Sequence, residues 1–381
     1  MLSKRDAFDI LFQRIKTLKK RDIILNLIVI FILASGVAAV FHDYSWYDKT
    51  IVKIERVENS LNDESNQGGK KEKHYSQAIL GVIMNGEHQG EKVSLENRYS
   101  SSGVLDERYR TGNEVFVKID PENHEKLTGS ITGLKRDKYV AMLLALFIFF
   151  LLSVTKRKGF FALISLAINI AVLWYALHLN YSGHNILTIS NCLVLFFTFT
   201  SLIFISGVNR KTFIAVLSTL ISLFFTMLLF EIMMRNTNGV DYTYVEYIAG
   251  QNNVSELFLS QILIGGLGAI MDVAITEASA INELVDKNSG ISLDELLKSG
   301  REVGHDIMGT MINVMLFTYI CGTIPLIILK MKNDVKLHSI IMWQMPMEIY
   351  RFIIGSIGIL LAIPISLFIS IAFFKKLRRS A

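Results

Sequence analysis

Three acidic residues stand where acids are costly. Asp272 and Glu277 lie in GGLGAIMDVAITEASAINELV (265–285), a run that is otherwise small or apolar, and Asp306 opens a second such run in GREVGHDIMGTMINVM (300–315). On a helix, Gly265, Gly268, Asp272, Thr276, Ser279 and Glu283 fall on one stripe, three or four residues apart. Asp306, Gly309, Thr310 and Asn313 share one face of the next helix. Small residues let a neighbouring backbone approach closely, so Gly265, Gly268 and Gly309 are predicted helix-packing positions. Asp272 is then predicted to point into a bundle, with Leu263, Ile264, Leu267, Ile270, Val273 and Ile275 on the other faces, toward lipid. A charged Asp at the bilayer centre costs about 2.5–3.5 kcal/mol, so such a residue is paired, wet or protonated. A carboxyl poised that way can load and release a proton or bind a cation. The rival reading is a packing group that accepts hydrogen bonds from a neighbouring helix.

The proton- or ion-site candidates are Asp272, Asp306, Thr276, Asn313 and Glu277. Glu277 lies five residues past Asp272, about 140° round the helix and off the stripe. Glu283 reads as a solvated or salt-bridged group at the membrane surface, and Arg301 and His305 are candidate partners for Asp306. Enzyme motifs fail on their spacing. Gly266-Leu267-Gly268 approaches the GxGD signature of intramembrane aspartyl proteases, but position 269 is Ala. His305-Asp306 has no HExxH-type context, and no GxxxxGK[ST] stretch is present. The expectation is no catalytic residue, no metal and no cofactor.

The elements that hold these groups are apolar spans. The chain has 381 residues, 51% of them hydrophobic and 19% charged, with a mean hydropathy of +0.40. The excess collects in runs of about 20 residues, long enough to cross the ~30 Å hydrocarbon core as helix. Eight are read: 23–41, 139–155, 160–178, 186–206, 212–234, 256–279, 307–329 and 352–374. The expected architecture is an α-helical polytopic membrane protein with a small all-β domain, a barrel or sandwich, OB-like among the options. Its parts are 1–41, a basic tail and signal-anchor span; 42–137, the β-rich domain; and 138–381, a seven-helix domain.

The formal charge of +5 does not point to nucleic acid, because the basic residues abut apolar runs. Lys4, Arg5, Arg14, Lys16, Lys19, Lys20 and Arg21 precede the first span, and Lys375, Lys376, Arg378 and Arg379 follow the last. The positive-inside bias then puts both termini in the cytoplasm and 42–137 outside. Lys330, Lys332 and Lys336 disagree with that rule. Within 42–137, IVKIERV, QAILGVIM, EKVSLEN, EVFVKI and GSITGL read as five short strands, with turn signals at Asn85-Gly86 and Thr111-Gly112-Asn113. SLNDESNQGGKKEKH (60–74) reads as a loop by composition. Ser292 with Glu295 forms a capping box for a short helix before the next span.

Gly268-Ala269-Ile270-Met271-Asp272-Val273-Ala274, Ser279, Asn282-Glu283-Leu284, Gly304, Asp306-Ile307-Met308-Gly309-Thr310-Met311 and Asn313 resemble the paired pattern of the YibE/F family of bacterial multi-pass membrane proteins. The layout is similar too: one anchor span, an extracytoplasmic β-rich domain and a seven-span block, over essentially the whole chain. Glu277 stands where similar proteins have a small or apolar residue, and His305 where a basic residue such as Arg is frequent. The resemblance implies the bacterial cytoplasmic membrane as location, the lipid bilayer as surroundings, and a sister protein of the same type or a second copy as partner. It implies little mechanism. By analogy with proton-driven exporters, the expected function is an ion-coupled transporter or export-accessory protein, with Asp272 as the proton or cation site and Asp306 as relay or gate. The rival is a non-transporting envelope scaffold whose β-rich domain binds a partner.

Overall fold

A computed structural model describes residues 20–67, 70–103, 106–120, 127–236, 242, 254–288 and 290–380. The basic residues Lys4, Arg5, Arg14, Lys16 and Lys19 lie outside them. The chain forms two compact units, Met1–Lys156 and Arg157–Ala381.

The first unit holds helix α1 (Lys20–Phe41), strands β1 (Thr50–Gln67), β2 (Lys70–Ile83), β3 (Lys92–Ser100), β4 (Glu114–Ile119) and β5 (Leu127–Leu134), and helix α2 (Asp137–Thr155). All five expected strands form. They close into a barrel in the order β1-β2-β3-β5-β4, with β3 and β5 parallel and the other pairs antiparallel. A five-stranded closed barrel of this kind is the OB-type solution to the edge problem, and it sets aside the sandwich. Alternation at period two sends Val52, Ile54, Ile79, Ile83, Val93, Leu95, Val115 and Val117 inward as one core. Gly86 and Gly112 sit at φ +84° and +86°, as turn glycines do. The expected loop at 60–74 is instead strand on both sides of 68–69. Its polar residues pair across the arm, with Glu64 and Lys73 at 3.0 Å.

At one end of the barrel the chain is tied to the ends of both helices. Lys135, only 1% exposed, lies 2.7 Å from Asp43 after α1 and 2.7 Å from Asp137 at the start of α2. Its ammonium also sits over the rings of Tyr44 and Tyr47, at 5.6 and 5.3 Å. Tyr44 donates to Glu114 and Tyr47 to Asp137. Asn85 accepts from the Ile51 amide and turns its own amide toward the carbonyls of Tyr44, Tyr47 and Lys49.

Burial and the hydrogen bond to Glu114 push the Tyr44 phenol up to about 12. Burial alone would pull the Lys135 ammonium down, but its bonds to Asp137 and Asp43 outweigh that and hold it above the usual lysine value. Groups raised in the folded state stabilise it fully at neutral pH and lose that effect as pH rises through the folded value. The junction is therefore expected to loosen between the ordinary tyrosine value of 10.0 and about 12. Phenolate absorbance, taken as wild type minus Tyr44→Phe, measures this. A difference titration centred at the ordinary tyrosine value would remove Tyr44 from the cluster.

The second unit is helical: α3 (Arg157–Tyr181), α4 (Ile186–Ser206), α5 (Arg210–Asn236), α6 (Val254–Lys287), α7 (Leu293–Cys321), α8 (Ile324–Lys332), α9 (Leu337–Gln344) and α10 (Pro346–Ser380). Among the described residues, six helices are long and apolar enough to cross a membrane: α2, α3, α4, α5, α6 and α10. α7 and α8 qualify together as one span bent by 47°, and α1 holds a shorter apolar stretch, Ile24–Val40. The eight expected segments are thus all helical, but the seventh is broken. Gly322 and Pro325 lie at the break, and Pro325 has no N–H to offer the Cys321 carbonyl. α2 lies in the same compact unit as the barrel. One further element differs from expectation: the capping box of Ser292 and Glu295 starts α7 itself, and among the described residues no separate short helix precedes it.

α6 is the hub, packed against α4, α5, α7 and α10. Its neighbours fit through glycines. A Cβ at Gly304 of α7 would overlap Ile363 of α10, one at Gly355 would overlap Met315, and one at Gly358 would come 2.6 Å from Ile270.

Candidate functional site

The face of α6 that enters the bundle is its apolar one. Leu263, Leu267, Ile270 and Val273 are buried, in one cluster with Leu223, Met315, Ile359 and Ile363. The predicted outward face is therefore the core. The small and polar stripe is on the outside of the chain: Gly265, Gly268, Asp272, Thr276 and Glu283 are all exposed. On α7, Asp306, Gly309, Thr310 and Asn313 are exposed as well. The reason is steric. α7 docks by Gly300 and Gly304, which face α10, and this turns the Asp306 face away.

The packing glycines follow the same division. Gly265 meets the Tyr319 hydroxyl of α7, at 2.6 Å from where its Cβ would be, whereas Gly268 and Gly309 have nothing within 4 Å. The two polar faces are not in contact with each other among the described residues. α6 touches α7 at Gly265 with Tyr319 and again at Glu277 with Gly300. Asp272 and Thr276 on one helix, and Asp306, Gly309, Thr310 and Asn313 on the other, fall between those two contacts. Thr276 donates to the Asp272 carbonyl, Thr310 to that of Ile307 and Asn313 to that of Gly309. Arg301 and His305 form no ion pair with Asp306 among the described residues; both line a groove between α7 and α10. Glu283 is paired with Lys287 at 2.7 Å, as its surface reading expects.

Glu277 is the candidate that the fold buries. Its exposure is 0%, and neither carboxyl oxygen has a hydrogen-bond partner among the described residues. Its Oε1 would lie 3.0 Å from a Cβ at Gly300. The helices packed around α6 bring further buried hydroxyls. Ser218 and Ser222 of α5 and Ser370 of α10 have no described partner, while Ser366 of α10 donates to the Ala274 carbonyl of α6 at 3.3 Å. Among the described residues, no three His, Cys, Asp or Glu side chains come together as a metal cluster.

The family models match both parts of the chain: YibE/F-like protein over residues 143–376, and YibE/F family N-terminal domain over residues 45–134. The chain belongs to the YibE/F family. No curated protein and no solved structure matches it. In this YibE/F protein, the acid placed inside the bundle is the one off the small-residue stripe. An ionised carboxylate cannot stay buried without a partner at acceptable cost. Glu277 must hold a proton, receive a cation, or gain a donor when the helices move. A signal for its burial is present in the sequence: Gly300 and Gly304 in GREVG are a small-xxx-small pair. That pair brings α7 onto α10, with Gly300 over Glu277.

Proposed function

We propose that this YibE/F protein is a multi-pass membrane protein that takes up and releases a proton or small cation at Glu277, as an ion-coupled transporter or export-accessory protein. The observation that carries the proposal is the carboxyl of Glu277, wholly buried with no hydrogen-bond partner for either oxygen among the described residues. A group left this way has no stabilising role of its own. It costs the fold free energy, and a reversible ligand accounts for its presence. Asp272 and Asp306 are the relay on the neighbouring outer face. The eight helical segments cross the cytoplasmic membrane with both termini inside and the barrel outside, in line with the basic flanks.

The exposed stripe supports a second reading. Asp272 and Asp306 would each cost about 2.5–3.5 kcal/mol against lipid, so a second copy or a sister YibE/F chain covers them. The protein is then an envelope scaffold that needs no ion. Sealed vesicles containing the protein, an imposed proton or sodium gradient and a trapped pH dye separate the two. Protein-dependent ion movement that disappears in Glu277→Gln is the expected result. Equal movement in wild type and variant, or none in wild type, removes the ion-coupled reading in favour of the scaffold.

A further inference from the structure

Very little separates Glu277 from the outside of the bundle. Three side-chain ends meet where residue 300 has no side chain. A Cβ there would overlap Leu367 Cδ1 and lie 2.8 Å from Ile281 Cδ1 and 3.0 Å from Glu277 Oε1. Leu367 is also a wall residue of a groove of about 400 Å³ between α7 and α10. One leucine side chain thus touches both the bare backbone of Gly300 and the groove. Its wall residues Leu360 and Phe368, 45% and 75% exposed, face the lipid side of the span, so the groove's way to water runs along α7 past Arg301 and His305.

Its lining is apolar except for Arg301 and His305, one turn apart on α7. Arg301 has a long apolar stem that lets its charged head reach the membrane surface. Glu302 and Asp306 are exposed on the same turns of α7. Pro364 is in the groove wall within α10. It has no N–H for the carbonyl of Leu360, four residues earlier and also in the wall. The missing bond lies in the turn from Leu360 to Pro364, one turn before Leu367, and leaves the Leu360 carbonyl as a backbone acceptor in the groove wall.

We propose that this groove is the route by which protons reach Glu277 through water, with the Leu367 side chain as the barrier at its inner end. The inference rests on Glu277 being the ion site. With Leu367 rotated away from Gly300, a hydronium ion in the groove gives its proton to Glu277 Oε1 and leaves as water. The reverse step returns the proton to water and leaves the carboxylate. Glycine is required at 300, because a side chain there would fill the gap through which the two meet.

The test is deuterium exchange at the Glu277 carboxyl. The full chain in phosphatidylcholine nanodiscs is moved into heavy water, and the infrared carbonyl band of the protonated acid is followed. The band is assigned by its loss in Glu277→Gln. Leu367→Ala is expected to exchange several-fold faster than wild type. Leu360→Trp, which fills the groove from its exposed wall without touching the core, is expected to exchange several-fold slower. Leu367→Ala exchanging at the wild-type rate overturns the barrier. Should that variant fail to fold, an unchanged rate in Leu360→Trp overturns the route. Both outcomes leave Glu277 as the ion site. Absence of any carbonyl band that differs between wild type and Glu277→Gln overturns the ion-site reading itself, and this route with it.

Discussion

Replacing Lys135 with alanine is expected to destabilise the barrel by roughly 3–5 kcal/mol, the range for removing one partner of a buried ion pair. The side chain is 1% exposed and lies between two carboxylates at 2.7 Å. Its removal leaves Asp43, itself buried, facing Asp137 with no cation between them. It also takes the positive charge from the faces of Tyr44 and Tyr47. Replacing all three charged groups at once, Lys135→Met with Asp43→Leu and Asp137→Leu, should restore most of the loss, because a matched apolar set carries no desolvation cost. Amide exchange in β1 and β4, the strands next to Asn85 and Glu114, reports the change on the barrel itself. A loss below about 1 kcal/mol for Lys135→Ala would rank the cluster with solvent-exposed pairs, which contribute little.

That cluster was not legible in the sequence, and the reason is distance along the chain. Lys135-Arg136-Asp137 before an apolar run reads as a membrane flank. Only barrel closure brings Lys135 to Asp43, 92 residues away. The strands were legible because period-two alternation at Val52 and Ile54, or at Val115 and Val117, is written locally. The arm at 60–74 was misread for the converse reason. Its charged and amide residues look like loop, but the two strands pair across the arm, and Glu64 and Lys73 meet on its exposed surface. The faces of α6 were inverted because hydrophobicity does not separate inside from outside when the surroundings are lipid. Leu267 and Ile270 suit a core and an acyl chain equally well. What settles the matter is close packing at Gly300, Gly304, Gly355 and Gly358 on the neighbouring helices. Of these, only the GREVG pair stands out as a motif.

Glu277→Met is expected to make the protein more stable and functionally silent. An unpaired buried carboxyl lowers stability whether it is charged or neutral. An apolar side chain of similar length removes that penalty, and replacing buried charged groups by packed apolar ones gains about 1–4 kcal/mol in favourable cases. Methionine suits the position because it is unbranched and adapts to irregular gaps. Its end would lie where Glu277 Oε1 now lies, against the bare backbone of Gly300 and the methyls of Leu367 and Ile281. Glu277→Gln is not equivalent, since its amide brings donors and an acceptor into the same partnerless site. The midpoint of thermal unfolding in nanodiscs should therefore rise for Met relative to both wild type and Gln, while ion movement in sealed vesicles is lost in both variants. Stability gained together with function lost is the signature of a group retained for activity at a cost to the fold. A lower midpoint for Glu277→Met would mean that the carboxyl has a donor in the assembled membrane protein. Glu277 would then be a structural contact, and the scaffold reading, with the Asp272 and Asp306 face covered by a second chain, would take its place.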